Sequence, residues 1–177
     1  IQPPAMTKIF DEDSSAAFGT RAIHAGQRPD PLSGAIMTPI YQTSTYVQEA
    51  LGVNKGYDYS RVANPTRTAL QVALASLEDA AHGIAFSSGI GATSTLMHLV
   101  DPGQRVVLIA DVYGGVYRMT SQVYEEKGYR FTYVPAQEWD DNLASHLDEE
   151  VRLVWLETPS NPLLNVVDIR KAAAALG

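Results

Sequence analysis

Tyr59, Ser60 and Arg61 stand in the stretch YDYSRVANPT, residues 57–66, just ahead of a helix start. A phenol and a guanidinium with little apolar anchoring form either a surface turn or an anion-binding arm, because the guanidinium fork matches phosphate and carboxylate oxygens. Three later stretches carry residues of comparable chemical use. Ser88, Gly89, Ile90 and Gly91 close the run IAFSSGIG and lead into a helix. Their glycines let backbone approach an anion, and the helix start offers unpaired N–H groups; a tight strand-to-helix turn explains the same glycines equally well. The turn lacks both the Gly-Lys-Ser/Thr of a P-loop and the GxGxxG of a dinucleotide site. Tyr113, ahead of Gly114 and Gly115, can lie flat on an aromatic ligand or pack on the domain rim. Asn161, in the stretch TPSNP, is an amide presented by a proline-stiffened loop or a turn residue that caps its own backbone. An anion nest, a stacking tyrosine and a rigid amide together suit a phosphorylated aromatic ligand.

The elements that must position these residues follow from periodicity. NPTRTALQVALASLEDA has Asn64 as N-cap, Pro65 at the first helical position and apolar residues at helical spacing. IAFSS reads as a short buried strand and residues 91–100 as a helix. RVVLIA is a continuously apolar strand, the mark of a sheet covered on both faces. GGVYRMTSQVYEEKG reads as a helix, RFTYVPA as a strand, WDDNLASHLDE as a short acidic helix, RLVWLET as a strand and VDIRKAAAAL as a final helix. Alternation of this kind with short connections predicts an α/β fold with a mostly parallel sheet and right-handed crossovers. Ligands then gather beyond the C-terminal strand ends, where Ser88, Tyr113 and Asn161 all fall. Residues 1–18 read as a loose arm and residues 19–65 as a long irregular segment, the kind that usually serves function or meets a partner.

Composition narrows the function classes. The 177 residues are 45% hydrophobic and 19% charged, with a net charge of −7. Acidic balance with scattered basic residues argues against nucleic acid, no run is long enough to span a bilayer, and cytoplasm is the default compartment. There is no cysteine, hence no thiolate nucleophile or disulfide framework. His24, His82, His98 and His146 are not spaced as metal ligands, so no metal is expected. Asp111 is expected to hydrogen-bond to backbone at its strand end rather than act as a catalytic acid, and Trp139 and Trp155 to pack. The last helix ends at Gly177 with nothing after it to pack on, so the chain is expected to be part of a longer protein.

The motifs YSRVANPTR, SSGIGA, DVYGGVYR and ETPSNP, in this order, with TRAIHAG and TPIYQTSTY ahead of them, resemble the Cys/Met-metabolism family of pyridoxal-phosphate enzymes, from about Gly19 to the end. The resemblance implies a three-layer, mostly parallel sheet of fold-type I, like aspartate aminotransferase, here incomplete. Residues 1–63 would be an N-terminal arm and inter-subunit segment, and 64–177 the first part of the large cofactor domain, with the small domain absent. It also implies pyridoxal 5'-phosphate as cofactor. Tyr59 and Arg61, with Ser60 between them, match residues that reach the phosphate in a neighbouring identical subunit. Ser88, Gly89 and Ile90 match the turn on the chain's own cofactor phosphate. Tyr113 matches the tyrosine that stacks on the pyridine ring and assists proton transfer, and Asn161 an amide beside the substrate carboxylate.

The family's Schiff-base lysine stands in a Ser-x-Thr-Lys pattern, and none of Lys8, Lys55, Lys127 and Lys171 does. The aspartate that pairs with the pyridine nitrogen and the substrate-carboxylate arginine are likewise expected outside this stretch, which is therefore expected to be inactive alone. Gly115, where the family's methionine γ-lyases carry cysteine, and Arg118 point to the cystathionine γ-synthase and γ-lyase branch. The implied reaction is γ-elimination or γ-replacement on a sulfur amino acid or activated homoserine, in a homotetramer. Methionine γ-lyase, cystathionine β-lyase and O-acylhomoserine sulfhydrylase are the alternatives within the family. A non-catalytic ligand-binding or assembly fragment is the alternative outside it, with a Rossmann-like nucleotide domain behind.

Overall fold

The computed structural model describes residues 16–177. Lys8 and the first part of the loose arm lie outside the described residues. The chain divides into two units, one running to Ala85 and the other spanning Phe86–Gly177.

In the first unit, α1 is Phe18–His24, a short antiparallel hairpin pairs β1 (Gln48–Ala50) with β2 (Val53–Asn54), and α2 is Pro65–Leu77. Apart from α1 and this hairpin the stretch 19–65 is irregular, as expected, and polar contacts hold it where apolar ones do not. Asn64 starts α2 from an extended conformation, its side chain accepting the Thr66 N–H, and Pro65 sits where its missing N–H costs nothing. Gly26, at φ +77°, passes so close to α2 that a Cβ would lie 2.3 Å from the Ala69 carbonyl oxygen. Only glycine fits that approach.

The second unit is built on three parallel strands, β3 (Arg105–Ile109), β4 (Arg130–Val134) and β5 (Val151–Trp155), in the order β4-β3-β5. The central strand is the one whose sequence is apolar throughout, and Val106, Val107, Leu108 and Ile109 are all fully buried. Around it stand α3 (Gly89–Leu96), α4 (Gly114–Met119), α5 (Ala136–Asn142) and α6 (Ile169–Ala175). Asp168 caps α6 by accepting the N–H groups of Arg170 and Lys171.

Two expectations fail here for identifiable reasons. IAFSS is not a strand: Ile84 and Phe86 are exposed, and the segment pairs with no strand among the described residues. An apolar run signals a strand, yet the strand exists only through the neighbour that bonds it. Residues 114–128 are not one regular helix either. After Met119 a π turn spans Thr120–Tyr124, then a 3-10 turn spans Glu125–Lys127 and ends at Gly128 in the left-handed region. The buried Thr120 hydroxyl bonds the carbonyls of Val116 and Tyr117, each at 2.9 Å, and so competes with the helix's own donors.

With the Thr120 proton directed at those carbonyls, the Tyr133 hydroxyl donates to its oxygen across 2.8 Å. Burial pushes the Tyr133 phenol above its usual value, against a smaller opposing effect of the Thr120 bond. A raised folded value means the contribution to stability is complete below about pH 10, the unfolded value, and is lost as pH rises through the folded one. Tyr133→Phe is therefore expected to flatten the alkaline limb of a Tm-against-pH curve. An unchanged limb would remove Tyr133 as its source.

Candidate functional site

Beyond the C-terminal ends of β3 and β5, the second unit holds a cavity of about 400 Å³. It is lined by Ser88, Gly89, Ile90 and Thr93 from the start of α3, by Tyr113 and Val116 at α4, and by Glu157 after β5. That volume suits a small ring bearing a phosphate.

The α3 side is shaped by capping. Ser88 is extended, and its hydroxyl accepts the Gly91 N–H at 3.1 Å while its carbonyl accepts that of Ala92. The N–H groups of Gly89 and Ile90 belong to the first turn, with no carbonyl one turn back, and so remain for a ligand. No atom lies within 4 Å of where a Gly89 Cβ would stand, leaving that backbone open to approach. Thr93, itself buried, steadies the turn by donating its hydroxyl to the Gly89 carbonyl at 3.0 Å.

On the opposite side, Tyr113 is half-exposed and is the N-cap residue of α4. Its ring lies against the bare backbone of Gly115, where a Cβ would come 2.4 Å from the Tyr113 Cε1. Any larger residue at 115 would push the ring off this position. The Tyr113 N–H donates to Glu157 Oε2 at 2.7 Å, and the other oxygen of that carboxylate accepts the Trp155 indole N–H at 3.0 Å.

Asn161 is exposed and is not among the residues lining the cavity. Its loop is held as much by Asp111 as by the prolines. Asp111 Oδ2 accepts from the buried Ser160 hydroxyl, the Leu163 N–H at 3.2 Å and the Asn165 amide at 3.1 Å. The strand-end bond expected of Asp111 is present, reinforced by two side chains.

Tyr59, Ser60 and Arg61 lie in the first unit. The Arg61 guanidinium sits 5.0 Å from the centroid of the Tyr59 ring. Tyr59 forms a single antiparallel bridge with Thr45, and the Ser60 N–H donates to the Ser44 carbonyl at 2.9 Å. The Ser60 hydroxyl donates to the Thr43 carbonyl, meets the Tyr46 hydroxyl and accepts from the Asn64 amide, so the segment is fastened by polar bonds.

The structure thus groups Ser88, Gly89, Ile90 and Tyr113 around one cavity. Sequence reasoning passed over Glu157, Thr93 and Val116. Thr93 and Val116 stand one helical turn beyond Gly89 and Tyr113, and Glu157 is an acid just past a strand end, signals that helical spacing and strand position do carry. No cluster of three or more His, Cys, Asp or Glu that could hold a metal occurs among the described residues, and no helix among them is long and apolar enough to cross a membrane.

Comparison with known proteins points the same way. The family model described as Cys/Met metabolism PLP-dependent enzyme matches residues 19–176. A probable cystathionine γ-synthase of Herpetosiphon aurantiacus is 49% identical over 152 residues, 86% of this chain and 47% of that protein. A cystathionine β-lyase of Coxiella burnetii is 47% identical over 164 residues, 92% of this chain and 42% of that protein. The crystal structure of metB from Corynebacterium glutamicum superposes with a TM-score of 0.86 at 40% identity, over 92% of this chain and 43% of that one. The chain spans about half the length of the curated relatives it matches.

Proposed function

The chain belongs to the pyridoxal-phosphate-dependent enzymes of cysteine and methionine metabolism, and on that premise we propose that the protein carrying it performs γ-elimination or γ-replacement on a sulfur amino acid or activated homoserine. The observation that carries the reading is the cavity itself, with two unpaired backbone N–H groups at one wall and a tyrosine ring seated on glycine at the other. In this reading the N–H groups of Gly89 and Ile90 and the Ser88 turn hold the phosphate, and the Tyr113 ring lies on the pyridine face. When bound, the cofactor supplies an electron sink for the charge left as a proton leaves substrate carbon. The Tyr113 hydroxyl assists that proton's transfer. Asn161 faces the substrate carboxylate, which requires its loop to approach the cavity in the liganded protein.

Tyr59, Ser60 and Arg61 serve the phosphate of a neighbouring identical subunit, in an assembly we take to be a cytoplasmic homotetramer. Residues 1–63 form the inter-subunit arm and residues 64–177 the first part of the cofactor domain. Lys55, Lys127 and Lys171 are exposed and none lines the cavity. The 177 residues alone therefore do not complete the reaction in this proposal. The β-lyase alternative is supported by the Coxiella burnetii relative, almost as similar as the γ-synthase.

The test is complementation. Two inactive variants of the full-length protein, Arg61→Ala and one lacking the cofactor-binding lysine, are unfolded together and reassembled. If the arm serves the neighbour's site, half of the dimers are mixed and each holds one intact site, so about a quarter of the sites recover. Absence of recovery counts against the shared site. Uptake of pyridoxal phosphate without turnover of cystathionine, methionine or an O-acylhomoserine would favour the non-catalytic alternative.

A further inference from the structure

Tyr113 depends on few contacts for its place. Its ring is half-exposed and rests on Gly115, and as the N-cap residue its backbone N–H has no partner in α4. The link from β3 to α4, residues 110–113, is tied instead to the segment after β5, and at two points. Asp111 takes the donors of Ser160, Leu163 and Asn165, and Tyr113 gives its N–H to Glu157. Between them Val112 is buried, which leaves the link little freedom to rotate. Glu157 is itself steadied by the Trp155 indole at the end of β5. A carboxylate with one oxygen on each donor resists rotation better than one holding a single bond, and bonds to an ionised acceptor are the stronger kind.

We propose that Glu157 is the positioning residue for Tyr113, its carboxylate bridging the Tyr113 N–H and the Trp155 indole so that the ring keeps the pose in which it covers the cavity. The proposal rests on the cofactor reading above and adds the source of the ring's fixed orientation. It assigns Glu157 the role of a two-oxygen hydrogen-bond acceptor.

The test is a double-mutant cycle in the full-length protein, read by pyridoxal-phosphate dissociation constants and by visible circular dichroism of the bound cofactor. Glu157→Ala is expected to weaken binding about tenfold and reduce the dichroism in the unaltered background, yet to change affinity less than about twofold when Tyr113 is already alanine. Glu157→Gln keeps one oxygen for the Tyr113 N–H but turns its NH2 toward the Trp155 indole N–H, so it is expected to restore only part of the affinity. Glu157→Asp, one methylene shorter, reaches only one donor and is expected to fall between, which serves if the alanine variant does not fold. Amide exchange of the peptide containing Tyr113 is expected to speed up in Glu157→Ala without cofactor. Equal losses in both backgrounds, a glutamine variant as poor as alanine, or unchanged exchange each overturn the positioning role. Failure of the unaltered protein to bind pyridoxal phosphate overturns the function and this inference together, whereas normal binding in Glu157→Ala and Glu157→Asp overturns this inference alone.

Discussion

Arg61→Ala is expected to weaken pyridoxal-phosphate binding by the full-length protein roughly a hundredfold or more, the scale of losing a two-pronged charge-assisted contact to a phosphate. Arg61 is exposed, and among the described residues no ion pair joins it to a carboxylate. Among the described residues its charge meets the face of the Tyr59 ring and no carboxylate. A cation held in this way is oriented without being neutralised, which suits an anion supplied from outside. Folding stability should be nearly unaffected, because an exposed side chain with so few contacts contributes little. Arg61→Lys keeps the charge and loses the planar fork, so an intermediate loss is expected. Tyr59→Phe leaves the ring under Arg61 and removes only the hydroxyl, for a smaller loss. Equilibrium dialysis with pyridoxal phosphate measures all three, and unchanged affinity in both Arg61→Ala and Tyr59→Phe would sink the phosphate role.

Trp139→Ala is expected to cost about 3–5 kcal/mol of folding stability, the range for truncating a buried aromatic. Trp139 is 1% exposed in the core that includes the β3 valines, and its indole N–H donates to the Val134 carbonyl at 3.0 Å, which ties α5 to the end of β4. The alanine opens a cavity and removes the indole bond, while the Val134 carbonyl keeps the Ala110 N–H at 2.8 Å. Trp139→Phe retains most of the bulk and should cost less than half as much. Urea midpoints compared at constant slope measure the difference; equal midpoints for alanine and phenylalanine would show that the site collapses without penalty.

Much of this was legible in the residues. The apolar run of β3 identified a strand covered on both faces, and Asn64-Pro65 identified the start of α2, because capping and periodicity are local properties. The family was legible for another reason: several short motifs recur in a fixed order. IAFSS was misread because a strand needs a bonded neighbour, and residues 114–128 because the buried Thr120 hydroxyl redirects the helix's carbonyls. Glu157 went unnoticed because its partner Tyr113 is 44 residues earlier in the chain.

By itself, then, the sequence determined where α2, α6 and the strands β3, β4 and β5 form, which turn leaves N–H groups unpaired, and which reaction class the motifs resemble. Tertiary structure alone decided that Ser88, Gly89, Ile90 and Tyr113 share one cavity, that Asp111 and Glu157 bind the β3–α4 link to the segment after β5, and that Asn161 stands outside the cavity lining. The physical reason is range. Capping, period and turn chemistry act over a few residues, whereas a hydrogen bond between distant segments exists only once parallel strands have brought their ends together.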